Sequence, residues 1–472
     1  MATLLINPTA SIETAGGRFK GLLTAMPPIG LALLAARLRQ QGREVAVYDS
    51  FIGRGGPDGA AREVRRLRPD IVGLPVVTPC ATEVFAQAAA VRAACPDSVI
   101  VMGNIHADLF AEDILRKGIA DIVVHGEAED AIVDVDRAVT DKTDLALVRG
   151  ISFRRGDEVV RTAPRPQIED LDTLPFPAWD LFPMEHYGLF KFAQVATPAT
   201  LISGSRGCPY RCTFCSLHVM GPRRRKRSVA NLVDEIEWLH ERFGMKQVAF
   251  VDPIFPISRK EGLQFAEELM RRGLHRKVQW VTETRVDLLD EEMLRSCRES
   301  GLRRVMFGIE VGDDAVLEGM NKRFVVDESR AAIALCRKVG VQTVGFFMVG
   351  VPGDSPASIE KTIELARELE PDFAKFTVFV PYPGTTDYNN LKAAGKLLGD
   401  HEQWSRYSSY PTHDNPPVFL PEGMSVDDMI RIHRRAFRRV YARPSAIWRH
   451  LVKIRTLSPL DAMRGFWALY AT

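Results

Sequence analysis

Long apolar runs are missing from this chain. Nowhere in its 472 residues does a hydrophobic stretch approach the ~18 needed to cross a bilayer as a helix. No secretory leader is expected either, because Met1-Ala2-Thr3 runs straight into the strand-like Leu4-Leu5-Ile6-Asn7. The expectation is a cytoplasmic protein. Excess charge of either sign is absent: 62 Lys and Arg stand against 60 Asp and Glu, a net charge of +2, so no bulk field points to nucleic acid. No helix-turn-helix or similar module is evident either. Cysteine is sparse and odd in number. Of the seven, Cys80, Cys95, Cys297 and Cys336 are scattered, which argues against a disulfide framework and suits a reducing compartment. The remainder is ordinary for a soluble protein, 46% hydrophobic and 26% charged, and long enough for two or three domains.

The other three cysteines stand together. Gly207-Cys208-Pro209-Tyr210-Arg211-Cys212-Thr213-Phe214-Cys215 carries Cys208, Cys212 and Cys215 as C-x3-C-x2-C. Three thiols so spaced can grip one iron–sulfur cube and leave one iron without a protein ligand. An open iron can chelate a substrate. A structural zinc site with His218 as fourth ligand is the alternative. With Phe214 just before the third cysteine, the motif resembles the signature of the radical S-adenosylmethionine (SAM) superfamily. There the open iron holds the amino and carboxylate groups of SAM.

Residues 1–140 alternate short apolar runs with amphipathic, helix-length stretches: TLLIN, GLALLAARLRQQG, EVAVYD, a helix near 58–68, DIVGLPVV, a helix near 81–94, SVIVMG, a helix near 108–117, and ADIVVHG. That order predicts an α/β, doubly wound, flavodoxin-like parallel sheet with ligands at the carboxyl ends of its strands. The strand-end loops are Pro27-Pro28-x-Gly30, Thr78-Pro79, Gly103-Asn104-Ile105-His106-Ala107 and Gly126-Glu127-Ala128-Glu129. Singly they read as turns and caps. Together, ahead of the cysteine motif, they resemble the cobalamin-binding domain of B12-dependent radical SAM enzymes. The resemblance implies cofactor contacts at Thr78, Gly103, His106, Gly126 and Glu127. D-x-H-x-x-G is absent and the family's G-G-P-H stands as Gly103-Asn104-Ile105-His106. The implied cobalt therefore has no His ligand, and His106 reads more readily as a satisfied loop histidine than as a cofactor contact.

Residues 141–195 hold a hairpin around Gly156-Asp157 and a Pro- and aromatic-rich strap, IEDLDTLPFPAWDLFP, expected to pack between domains, with Asp180 and Tyr187 near the cleft. From 196 to 385 six strand–helix units follow, TLISGS, AFVD, VQWVTET, VMFGIE, VGFFMVG and FAKFTVF being the strands. Six units predict a partial (β/α)6 barrel with its chemistry at the carboxyl ends. By the same resemblance Asp252, Arg285, Glu310, Gly350 and Gly353 on that rim hold SAM. A buried Arg285–Glu310 pair and plain strand-end turns are the other readings. The basic run Gly221–Arg227 reads as a solvated face or as a holder of an acidic group. Residues 386–472 read as a helical region. MIRIHRRAFRRVYARP and AIWRHLVKIRTL there combine core packing with a basic surface suited to a lid, an anionic membrane or a lipid-like substrate.

The resemblance implies three cofactors: a [4Fe–4S] cluster, SAM and cobalamin. It also implies an enzyme that methylates an unactivated carbon of a small-molecule or lipid-like substrate through a 5′-deoxyadenosyl radical and methylcobalamin, fed by a flavodoxin- or ferredoxin-like donor. The alternative is a radical SAM oxidative cyclase that uses cobalamin without methyl transfer; a cobalamin or redox sensor is the non-enzymatic reading.

Overall fold

The computed structural model describes residues 2–8, 24–53, 55–216, 221, 223–400, 402–444 and 446. His218 and residues 447–472, on which part of the zinc and tail readings rest, lie outside the described residues. The chain forms two compact units: residues 27–186 and 400–407 with the first strand make one, and residues 187–399 with 408 onward make the other.

In the first unit β1 (Ala2–Asn7), β2 (Glu44–Asp49), β3 (Ile71–Pro75), β4 (Val99–Gly103) and β5 (Ile122–Val124) are parallel in the order β2-β1-β3-β4-β5. Leu4, Leu5 and Ile6 of β1 and Ile71, Val72 and Leu74 of β3 are all buried. Such unbroken apolar runs are what a sheet covered on both faces requires. The hairpin forms around Gly156 as β6 (Ile151–Arg155) and β7 (Glu158–Arg161), but it extends this sheet as two antiparallel strands instead of standing in a connection. Part of the strap packs here too: Trp179 is fully buried and Ala178 N–H donates to the Ala32 carbonyl at 2.9 Å. Asp180 is surface-exposed and paired with Arg39 at 2.7 Å.

In the second unit six parallel strands run in the order β15-β14-β13-β12-β11-β8. They are β8 (Ala199–Ile202), β11 (Gln247–Phe250), β12 (Gln279–Thr284), β13 (Leu302–Glu310), β14 (Gln342–Val349) and β15 (Phe373–Val378); a separate two-stranded ribbon comprises β9 (Ser205–Arg206) and β10 (Arg225–Lys226). The two edge strands do not pair with each other among the described residues, so the sheet is an open half-barrel. Ser228, Ser258, Asp290 and Ser355 cap the intervening helices with their side chains, satisfying N–H groups that have no partner inside the helix.

Side-chain alternation divides this sheet cleanly. Trp280 meets Phe265 of the helix Arg259–Arg271, with ring centroids 5.2 Å apart. Phe376 meets Phe437 of the helix Val426–Tyr441 at 5.5 Å. The opposite face, turned from the helices, carries Glu283, Met306, Phe346 and Lys375 by strand register. At its lower end Arg304 donates to the Gln342 side chain and, at 2.6 Å, to the Phe192 carbonyl. Its guanidinium also stacks on Phe373, so residues 191–194 and Arg304 close that end.

Candidate functional site

The cysteine loop leaves β8 and is fixed by its own glycine. Gly207 has φ +81°, and a Cβ there would stand 2.3 Å from the Arg223 carbonyl oxygen, so no other residue fits. The ribbon β9–β10 returns the chain to this point. Cys208, Cys212 and Cys215 form no disulfide and are half-buried. Among the described residues no three His, Cys, Asp or Glu side chains converge as ligands of a single metal ion. A four-iron cube does not ask the thiols to converge, since each thiolate meets a different iron. The donor set therefore fits a cluster.

A distant turn braces the loop. Thr213 N–H donates to the Met320 carbonyl at 3.1 Å and Asn321 Nδ2 to the Arg211 carbonyl at 2.7 Å. Thr213 Oγ1 reaches Asp387, just past β15, at 3.0 Å. Between these anchors Lys322, a residue the sequence did not single out, is buried beside the cysteines. Its Nζ lies 2.6 Å from Glu310 and 5.7 Å from the Phe214 ring centroid. Burial works against the Lys322 charge, yet Glu310 and Cys212 outweigh it and hold the ammonium above its ordinary pKa. Burial pushes the Cys212 thiol up, and Lys322 pulls against it.

Glu310 ends β13 in a strained conformation, φ +68°, where the strand register shifts after Gly308. A Cβ on Gly308 would stand 2.4 Å from Glu310 Oε1. The Phe-Gly-Ile-Glu sequence thus makes room for its own carboxylate. Arg285 does not pair with Glu310. It binds Asp287 through two bonds of 2.9 Å, donates to the Lys322 carbonyl at 2.7 Å, and stacks 3.8 Å from the Tyr210 ring centroid in the cysteine loop.

The other expected rim residues are placed as follows. Asp252 is buried with both oxygens engaged, accepting from Gly204 N–H at 2.7 Å and from the Ser205 hydroxyl. Burial pushes its pKa up to about 6, against those two bonds. It supports the strand end that launches the cysteine loop. Gly350 and Gly353 take φ of +80° and +88°, and Asp354 accepts the Gly350 and Val351 N–H groups at 2.9 and 3.1 Å. Gly353 is exposed with open space where a Cβ would be. In the basic run, Arg224 is held by Glu261 at 2.9 Å and Arg227 by Glu235, so these two guanidiniums serve the fold.

In the first unit, Thr78 and His106 come together and are buried. His106 Nδ1 lies 3.3 Å from Thr78 Oγ1, and its ring packs at 4.6 Å on both Phe110 and Trp404, the latter contributed by residues 400–407. Burial lowers the His106 pKa to about 4, so the ring is neutral. Its Nε2 is buried with no partner among the described residues. Gly103 sits at the end of β4 in ordinary contact with Val124. Gly126 (φ +69°) and Gly30 are exposed with open space around them, which lets a ligand approach the backbone. Glu127 is turned to the strap, accepting from Ile168 N–H at 2.8 Å. An orphaned imidazole nitrogen and open glycines at the strand ends fit a bulky polar cofactor there.

Comparison with known proteins covers both units. The Radical SAM superfamily model matches residues 202–366 and the B12 binding domain model residues 22–136. An uncharacterised methyltransferase of Pyrococcus horikoshii is 28% identical over 472 residues, covering 100% of this chain and 99% of the relative. The anaerobic magnesium-protoporphyrin IX monomethyl ester cyclase of Rubrivivax gelatinosus is 30% identical, covering 93% of this chain and 77% of the relative. The radical SAM methyltransferase TsrM of Kitasatospora setae, solved with cobalamin and a [4Fe–4S] cluster bound, shares the fold with a TM-score of 0.72 at 17% identity, covering 98% of this chain and 90% of that one. With a doubly wound sheet and a half-barrel in this order, and a three-cysteine loop on the half-barrel's rim, the chain belongs to the cobalamin-dependent radical SAM family.

Proposed function

We propose that this chain is a B12-dependent radical SAM methyltransferase acting on an unactivated carbon of a small molecule. The observation that carries the reading is the Glu310–Lys322 pair, buried against a three-cysteine loop at the carboxyl end of a six-stranded half-barrel. When bound, the cluster and SAM supply a 5′-deoxyadenosyl radical and cobalamin supplies the methyl group. Cys208, Cys212 and Cys215 hold the cluster. Glu310 and Lys322 present an acceptor and a donor, matched to the amino and carboxylate groups of an amino acid. Arg285, locked by Asp287 and Tyr210, stiffens the loop so that those groups meet the cluster in one orientation. The glycine turn at Gly350–Gly353 leaves backbone open to a flat ring. Thr78, Gly103, His106 and Gly126 line the candidate cobalamin end of the first sheet.

A second reading is favoured by one observation: the relative at 30% identity is a cyclase. Oxidative cyclisation would need the same two cofactors without a methylated product. Anaerobic purification with cluster reconstitution and added cobalamin, followed by iron and cobalt analysis and incubation with methyl-labelled SAM, tests both. About four iron and one cobalt per chain with label in product supports methyl transfer. Turnover of SAM without label in product supports the cyclase reading, and iron without cobalt removes both. Among the described residues no helix is long and apolar enough to cross a membrane. On the helix Val426–Tyr441, Arg435 and Arg439 are tied to Glu360, which neutralises part of its basic face.

A further inference from the structure

Several interior ionisable groups of the second unit have partners among the described residues. Asp252 has Gly204 and Ser205, Glu310 has Lys322, Arg285 has Asp287, and Arg304 has Gln342. Glu283 and Lys375 are half-buried at mid-strand on the face turned from the helices, and neither charged end has a hydrogen-bond or ion-pair partner among the described residues. The Lys375 ammonium lies instead 5.6 and 5.7 Å from the ring centroids of Phe192 and Phe346, which meet edge to face. Glu283 is three strands away on β12, with β13 and β14 between. A lysine and a glutamate on one face of the sheet, each without a bonding partner and not joined to each other, are poorly explained by folding, because an unpaired charge drawn out of water is destabilising.

The local charge says what would satisfy them. Lys322 cancels Glu310, and Asp287 cancels Arg285. Burial first, then Glu310, pushes the Glu283 pKa up to about 7, so near neutrality much of it is uncharged. Burial pushes the Lys375 pKa down, with Glu283 pulling against it, and leaves Lys375 a cation with no ion-pair partner in contact among the described residues. Phe192 and Phe346 lie beside it, and Met306 and Met348 stand on the same sheet face by strand register.

We propose that Lys375 binds an anionic oxygen group, carboxylate or phosphate, of a substrate whose apolar body lies on Phe192, Phe346 and Met348, while Glu283 hydrogen-bonds a hydroxyl or amide of the same molecule. This rests on the radical SAM reading, which puts the substrate inside the half-barrel below the cysteine rim. It narrows the substrate to an apolar acid.

The test uses the full chain, anaerobically reconstituted and with SAM present, and three probes measured by saturation-transfer NMR: benzoate, phenyl phosphate and benzamide. At least one acid binds about tenfold tighter than benzamide, the low end for a charge-assisted hydrogen bond. Benzoate against phenyl phosphate then tells carboxylate from phosphate. The preference disappears in Lys375→Met and in the milder Lys375→Gln, and survives in Glu283→Gln. Equal binding of acids and amide, a preference that survives both Lys375 variants, or a loss of SAM affinity in place of probe affinity would overturn the proposal. Iron content and uncoupled SAM cleavage, measured on the same samples, report separately on the family chemistry. If they are intact while the probes fail, only the substrate assignment falls.

Discussion

Lys322→Met tests the centre of the site most directly. The Lys322 and Glu310 side chains are only 9% and 10% exposed, 2.6 Å apart, so their contact is little screened by water. Removing the ammonium strands the Glu310 carboxylate in a site that already holds Glu283, and breaking a buried pair this way costs about 3–5 kcal/mol. For a cooperative unit of this size that lowers the melting temperature on the order of 10 °C. The sign with pH is fixed: a lysine whose folded pKa is raised contributes stability below its unfolded value, so the loss is fully present at neutral pH and shrinks only in strong alkali. The assay is anaerobic thermal unfolding of wild type, Lys322→Met, Glu310→Gln and the double variant, all at equal iron content. Because Glu310→Gln removes the stranded charge, the double variant should recover a large part of the loss. A single variant within about 1 kcal/mol of wild type, or a double variant no better than Lys322→Met, would refute the argument.

Further outcomes follow from other residues. Alanine at any of Cys208, Cys212 or Cys215 should drop iron from about four atoms per chain toward zero, read by iron analysis after reconstitution. Gly207→Ala should do the same without touching a thiol, since the left-handed φ and the Arg223 carbonyl at 2.3 Å leave no room for a Cβ; retention of wild-type iron would contradict the geometry. The neutral His106 makes the first unit acid-sensitive: with its folded pKa at about 4, below an unfolded value of 6.5, the unfolded chain binds the extra proton, and stability should fall by up to about 3 kcal/mol as pH drops through that window. His106→Phe should flatten that slope in acid denaturation curves. Asp252→Asn should weaken cluster retention more than SAM affinity, because its oxygens serve Gly204 and Ser205; a SAM-affinity loss with normal iron would reverse that assignment.

What could be read from the sequence depended on whether the partner was near in the chain. Strands such as SVIVMG and VGFFMVG announce themselves because a parallel sheet covered on both faces needs continuous apolar runs. The turn at Gly156-Asp157 was equally plain, but its hairpin's destination was not, since an edge strand is chosen by the sheet it joins. Lys322 stands twelve positions past Glu310 in a turn with no local signature, and only the folded β13 brings it to the cysteines. Trp404 sits in a polar, irregular stretch whose partners, His106 and Phe110, lie some three hundred positions earlier. Glu283 and Lys375 did leave a trace: each is a lone charge in an otherwise strand-forming run, VQWVTET and FAKFTVF, where a buried strand gives no structural reason for one.

The brace between the cysteine loop and residues 320–321 sets an order of assembly. Thr213 and Arg211 rely on backbone and side-chain partners more than a hundred positions downstream, and Thr213 relies also on Asp387. Until β13 and the segment after β15 have been synthesised and docked, the three thiols have no reason to hold their spacing. If the three thiols take up iron as proposed, loading should come late, on a nearly finished half-barrel, and a chain truncated before Asp387 should lack one of the braces of its cysteine loop.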